Sequence, residues 1–162
     1  MRWKGKWKEA LPVDNIPAFL GLIFRAGRLV PGEEPAANAC LSRKAQLVLT
    51  AKDASENTLR RTRRVCQSEN VSLLSLPLTK AEMGSGLGWA TCAVAAVTDL
   101  GFAATLLDKL AAADESTYGS VRDAIREREQ RARRRRDPKY AEAKRQRREA
   151  RSAKPVKKNT KK

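Results

Sequence analysis

The sequence contains no histidine. Imidazole is the usual general base near neutral pH and the commonest nitrogen ligand for metals. Its absence excludes catalytic triads, zinc fingers and metal hydrolases built on His. Cysteine is scarce: Cys40, Cys66 and Cys92 are odd in number, stand far apart in sequence and form no Cys-x-x-Cys pair. Neither a zinc ribbon nor a disulfide framework is supported, and each reads as a reduced core residue among apolar neighbours. No apolar run approaches the ~18 residues that a membrane span requires. The basic start Met1-Arg2-Trp3-Lys4 is not followed by the apolar stretch of a secretory signal. A soluble, cytoplasmic protein is expected. No Cys–base pair, phosphate loop or metal-ligand cluster is found, and Gly84-x-Gly86-x-Gly88 has the wrong spacing for a dinucleotide fingerprint. Neither catalysis nor a cofactor is expected.

Acidic residues are the minority. Lys and Arg number 34 against 18 Asp and Glu, for a formal net charge of +16. That balance points to a polyanion, nucleic acid before an anionic membrane surface. The charge is uneven: residues 114–162 hold 19 basic and 8 acidic side chains, whereas residues 1–113 hold 15 and 10. Arg2, Lys4, Lys6 and Lys8 supply most of the excess in the first part, so the stretch 9–113 is almost neutral. This is the pattern of a globular domain between cationic arms. Its expected divisions are an arm at 1–14, a domain at 15–113, a charged helical extension at 114–151 and a disordered Lys-rich tail at 152–162.

Apolar periodicity predicts a helix over 16–26, capped by Asn15 and stopped by Gly27. A very short strand follows at Leu29-Val30. Gly32-Glu33-Glu34-Pro35 opens a second helix to about 42, because acidic residues and Pro suit a helix N-terminus. A strand over 46–51 precedes the capping pattern Asp53-Ala54-Ser55-Glu56 and a helix to about 70. A strand over 71–76, a short helix after the capping box Thr79-Lys80-Ala81-Glu82, and a strand over 93–97 come next. Residues 84–88 read as a loop needing positive φ. Asp99 caps a last core helix with Phe102, Ala103, Leu106, Leu107 and Leu110 on its inner face. Helices alternating with short apolar strands argue for an α/β fold, a three-layer α/β/α sandwich. The expected sheet is four-stranded and mixed, with a basic C-terminal helical or disordered extension.

Six stretches, in order, resemble a known family. They are Leu20-Gly21-Leu22-Ile23-Phe24-Arg25-Ala26-Gly27-Arg28-Leu29-Val30-Pro31-Gly32-Glu33-Glu34, then Ala45-Gln46-Leu47-Val48-Leu49, Asp53-Ala54-Ser55-Glu56-Asn57-Thr58, Cys66 with Asn70-Val71, residues 80–88, and Val97-Thr98-Asp99-Leu100-Gly101-Phe102-Ala103. Over roughly 16–112 the chain is similar to bacterial YlxQ-type members of the ribosomal L-seven-Ae / L-thirty-e / Gadd superfamily. The resemblance implies a sandwich that binds structured RNA, often kink-turns, with the start of its second helix and the loop before its last strand. On this sequence those surfaces are Gly32, Glu33, Glu34 and Asn38, flanked by Arg28, and the loop Gly88-Trp89-Ala90-Thr91. The strongest kink-turn binders read Gly-x-Asn-Glu with a Lys three residues on. This chain has Glu34, Pro35 and Asn38 at those positions, which removes one phosphate contact and adds a carboxylate. The plain structural reading of Glu33 and Glu34 is complementation of the helix dipole.

Three further features are cationic. Arg60, Arg61, Arg63 and Arg64 crowd the third helix, with Glu56 and Glu69 as the nearest acids in sequence. They are either a solvated flank or a nucleic-acid contact. The arm 2–8 interleaves Trp3 and Trp7 with four cations, which suits RNA stacking, a membrane interface or one Trp folded back on the domain. In the extension, helix formers run over 120–136, and Glu127–Arg131 and Glu129–Arg133 have the favourable i,i+4 order. Asp137-Pro138 breaks that helix and can restart a second, to about 151. Arg133, Arg134 and Arg135 lie in its densest basic run. The extension shows almost no hydrophobic stripe, so it reads as a solubilising tail or an RNA-binding arm. The expected function is non-catalytic RNA binding, ribosomal-protein-like, with ribosomal RNA or another structured RNA as partner and with the ribosome or its assembly factors nearby. The alternative is a protein-interaction module for an acidic partner. A monomer is expected when no RNA is bound.

Overall fold

The structure, a computed structural model, describes residues 15–153. The whole N-terminal arm, 1–14, with Trp3 and Trp7, and the Lys-rich tail beyond 153 lie outside the described residues. In chain order the elements are α1 (Ile16–Arg25), β1 (Leu29–Pro31), α2 (Glu33–Leu41), β2 (Leu47–Thr50), α3 (Glu56–Glu69), β3 (Ser72–Ser75), α4 (Lys80–Leu87), β4 (Val94–Val97), α5 (Leu100–Ala113), α6 (Glu115–Arg136) and α7 (Pro138–Ser152). The strands form one sheet of order β1-β4-β2-β3. β2 and β3 are parallel, while β4 runs antiparallel to both β1 and β2. The sheet is therefore mixed, as expected.

The two inner strands show why this is a sandwich. Side chains alternate across a strand. Leu47, Leu49, Ala95 and Val97 face a core shared with α1, α4, α5 and the start of α6. Val48, Val94 and Ala96 face a second core under α2 and α3. Both faces are buried, so β2 and β4 are apolar without alternating polarity. Leu106, Leu107 and Leu110 on α5 are fully buried, each stabilising the fold by about 2 kcal/mol through lost apolar surface.

Local chemistry sets most helix starts. Ser55 accepts from the Thr58 N–H, Thr79 from that of Glu82, and Asp99 from that of Phe102. Asn15 makes no side-chain cap bond; α1 has Pro17 in its first turn instead, which removes one donor that would need a partner. Asp53 departs from its expected part in the α3 cap. Its Oδ1 accepts from the N–H of Lys80, 2.7 Å away, and so caps α4 across the domain.

Residues 84–88 are not the loop that their glycines predict. Gly84, Ser85, Gly86 and Leu87 are helical, and only Gly88 has positive φ, where α4 ends. The glycines serve a close crossing of α1 and α4. A β-carbon on Gly86 would lie 2.0 Å from the Pro17 carbonyl oxygen, and one on Gly21 2.3 Å from that of Gly86.

The chain divides into two units, Met1–Arg126 and Glu127–Lys162. The expectation that the extension lacks an apolar stripe is corrected for its beginning. α6 starts at Glu115, with Asp114 accepting from the Thr117 N–H, and Tyr118 and Ile125 are buried in the core with Val121 packed beside them. The Tyr118 hydroxyl donates to the Ser75 carbonyl at 2.8 Å, and Arg126 grips Asp108 through two contacts of 2.8 and 2.5 Å. In the second unit both expected pairs form, Glu127 with Arg131 and Glu129 with Arg133. Asp137 caps α7 by accepting from the Lys139 N–H, and Pro138 opens the helix. α7 buries no side chain and runs to Ser152, which the sequence reading assigned to the tail.

Candidate nucleic-acid interface

Gly32 joins β1 to α2 in a conformation open to glycine, with φ 105° and ψ 148°. Its N–H donates to the Val94 carbonyl at 2.8 Å, tying the start of α2 to the start of β4. No side chain caps α2, and Pro35 brings no N–H, so the helix opens on bare backbone donors.

The two glutamates part company here. Glu33 turns toward α3, where it accepts from the Thr58 hydroxyl at 3.2 Å and from Arg61 Nε at 2.9 Å. Thr58 also accepts from the Ser55 hydroxyl. Glu33 thus clamps the first turn of α2 to the first turns of α3. Glu34 is exposed and has no partner among the described residues. Asn38 is exposed four residues on, over the same side of the helix. The ion pair with Glu33 also corrects the sequence view of the arginine cluster, which looked to Glu56 and Glu69 for its acids. Arg60, Arg63 and Arg64 are exposed and form no ion pair with the described residues.

Between α2 and α3 lies a cleft of about 530 Å³. Ala36, Ala37, Cys40, Val65 and Cys66 form its apolar walls, with Val48 of the sheet behind them, and Glu33, Glu34, Arg61 and Arg64 edge it. Burial pushes the thiol of Cys40 up, and that of Cys66 up to about 12, so both are protonated at neutral pH. All three cysteines are free and buried, as expected.

The loop before β4 meets Gly32 at one end only. Cys92 donates its N–H to the Lys80 carbonyl, and its thiol lies against the Gly32 backbone. Trp89, at the loop's other end, sets its ring edge-on to Phe24 with centroids 6.1 Å apart, yet remains 44% exposed. One aromatic face is therefore steadied by packing and still partly open. Arg28 does not join this surface. It precedes the far end of β1, where its carbonyl accepts from the N–H and hydroxyl of Thr98. Arg133, Arg134 and Arg135 belong to the second unit, where Arg133 is held by Glu129 at 2.8 Å and the other two form no ion pair with the described residues.

Sequence reasoning missed the Glu33–Thr58–Arg61 clamp, in which Glu33 lies 25 or more residues from both partners, and the cleft beside it. It also passed over the cations of α7, including Lys144, Arg145, Arg147 and Arg148. The assembled face offers backbone donors, a free carboxylate, guanidinium groups and an apolar recess. These are the groups that recognise base edges, phosphates and unstacked bases.

The RNA-binding protein YlxQ of Bacillus subtilis (strain 168) is 35% identical to this chain over 91 residues, which make up 56% of this chain and 90% of that protein. The chain belongs to the YlxQ family. The match takes in nearly all of the Bacillus subtilis YlxQ and leaves much of this chain outside it. A solved structure of a protein with unknown function from Bacillus halodurans C is also similar to this YlxQ-family chain, with 27% identity and a TM-score of 0.54 over 57% of this chain and 93% of that one. No protein-family model matches the sequence.

Proposed function

We propose that this protein is a non-catalytic RNA-binding protein that docks on structured RNA, ribosomal RNA or a kink-turn within it. The observation that carries the reading is the face at the start of α2, where Glu34, which has no partner among the described residues, edges the same cleft as Arg64 of α3, with Asn38 exposed one turn on. A carboxylate there accepts from base amino groups while guanidinium groups take phosphates. The YlxQ relative, named as an RNA-binding protein, supports the same assignment. Gly32 lets the chain approach RNA closely, and Trp89 supplies a stacking surface from the neighbouring loop. The second unit contributes phosphate contacts that are indifferent to sequence, through Arg134, Arg135 and the cations of α7.

The test is binding of the full-length protein to ribosomal transcripts across a salt series. Each phosphate contact adds about −0.7 to −0.9 to the slope of log K against log salt, so a steep slope is expected. Glu34→Ala together with Asn38→Ala weakens binding to transcripts more than binding to a random-sequence RNA of the same length. Absence of binding in dilute buffer refutes the proposal. A partner from cell extract that survives nuclease treatment, with no affinity for RNA, assigns the face to an acidic protein instead.

A further inference from the structure

Residues 127–162 contain a single aromatic side chain, Tyr140, and the fold gives it no packing role. α7 buries nothing, and Tyr140 is 44% exposed. A ring of this kind ordinarily buries about 150 Å² or more in a core or an interface. Backbone bonds fix the corner before it. The Asp137 N–H donates to the Arg133 and Arg134 carbonyls at 3.1 and 3.2 Å, and the Tyr140 and Ala141 N–H groups donate to the Asp137 carbonyl at 3.1 Å. The end of α6 and the first turns of α7 thereby border a groove of about 600 Å³. Arg135 lines it from α6, and Tyr140, Lys144 and Arg148 line it from one face of α7, at successive i,i+4 positions. Arg145 and Glu149 also line it, but they are paired with each other at 3.0 Å. Arg135, Lys144 and Arg148 are exposed and form no ion pair with the described residues. One open ring thus stands among cations whose charge is not neutralised.

That combination suits a nucleotide of a single strand. Every base has a π face, and a base stacked on a ring brings its phosphates within reach of cations beside that ring. In a duplex the base faces already stack on one another, so a duplex offers the groove phosphates alone. An acidic peptide satisfies the cations and leaves the ring uncovered. A membrane surface needs further large apolar side chains beside Tyr140, and α7 has none.

We propose that the groove at the α6–α7 corner binds one unstacked nucleotide of single-stranded RNA, its base on Tyr140 and its flanking phosphates on Arg135, Lys144 and Arg148. This rests on the RNA-binding reading above and deepens it, because the second unit then distinguishes single strands from duplexes, which phosphate contacts alone do not. The face at the start of α2 serves folded RNA, and the second unit serves unpaired stretches.

The experiment uses the full chain with an oligouridylate, the duplex of that strand with oligoadenylate, and ribosomal transcripts. α7 buries no side chain and leucine is a good helix former, so Tyr140→Leu leaves the fold and its melting temperature unchanged. It weakens binding to oligouridylate about tenfold, the worth of one stacked base, and leaves duplex binding and the salt slope as they were. Tyr140→Phe, which keeps the ring, binds as the wild type does. Arg148→Gln instead makes the salt slope on the single strand shallower by about 0.7, one phosphate contact. Ultraviolet crosslinking to oligouridylate places adducts on the peptide holding Tyr140. Wild-type affinity of Tyr140→Leu for oligouridylate, an equal loss on single strand and duplex, or binding to transcripts but not to oligouridylate overturns the groove as a nucleotide site and leaves the RNA-binding reading standing. Polyglutamate bound as tightly as oligouridylate, with the same loss in Tyr140→Leu, assigns the groove to an acidic protein instead. Failure of the wild type to bind any of the three RNAs overturns both readings.

Discussion

Residues 15–126 carry 13 basic and 11 acidic side chains, whereas residues 127–162 carry 17 and 5. The difference lies as much in employment as in number. In the first region charge holds the architecture: Asp53, Asp99 and Asp114 cap helices, Glu33 joins α2 to α3, and Arg126 holds Asp108 of α5. In the second, ion pairs run along single helices, from Glu127 to Arg131, Glu129 to Arg133 and Arg145 to Glu149, and among the described residues the Lys and Arg side chains are exposed. A carboxylate near a distant backbone N–H helps specify a fold. A guanidinium in solvent does little for stability and is free to replace a counterion on a polyanion. One chain thus separates shape from charge.

Four experiments break or sharpen that contrast, in order of decreasing effect. The largest is removal of residues 127–162. With several phosphate contacts gone, affinity for RNA at low salt falls by about 10²-fold or more and the salt slope flattens, while calorimetry finds the melting temperature of the core almost unchanged. A large drop in melting temperature would show that the second region stabilises the first. Second, two substitutions in the first region reverse that outcome. Ile125→Ala empties a fully buried site, and Gly86→Ala drives a methyl group into the Pro17 carbonyl. Each costs about 3 kcal/mol in urea unfolding, with the salt slope preserved.

The third experiment is a pH series. The buried thiol of Cys66 is pushed from 9.0 up to about 12 in the folded chain. Between those values the unfolded chain has released a proton that the folded one keeps, so stability is fully present below pH 9 and declines as pH rises toward 12. Cys66→Ala lowers stability at neutral pH and makes the alkaline decline shallower. An unchanged decline would remove the thiol as its source. The smallest effects compare two carboxylates directly. Asp53→Ala costs about 1 kcal/mol as a lost helix cap, whereas Glu127→Ala, which breaks an exposed i,i+4 pair, costs about 0.4 kcal/mol or less. Equal values would erase the distinction.

Most of the fold was legible because its signals are local. Short apolar strands, and Ser55, Thr79 and Asp99 before apolar helices, mark elements within a few residues of themselves. The misreadings share a cause, since each residue's partner lies far along the chain. Gly84 and Gly86 look like loop glycines until α1 is set against them. Asp53 sits inside a capping pattern, yet caps the helix starting 27 residues later. Tyr118, Val121 and Ile125 have helical spacing, but the surrounding charge hides the stripe. Of the candidate site, the residue types and the start of α2 were legible through the family resemblance. The division of labour between Glu33 and Glu34 was not, because only the approach of α3 decides which carboxylate is occupied.

The sheet order bears on how the chain folds as it is made. β4, the last strand to be synthesised among the described residues, lies between β1 and β2. Until residues 94–97 have left the ribosome, β1 has no strand to pair with and β2 lacks one neighbour. Tyr118 and Ile125 complete the apolar interior only later still. Early β2–β3 pairing and nascent helices therefore wait on a distant segment, the long-range closure that slows folding and prolongs exposure of sticky surface. The nascent chain closes its sheet only once β4 has emerged, and a pause in translation before β4 would leave that slot open to other strands.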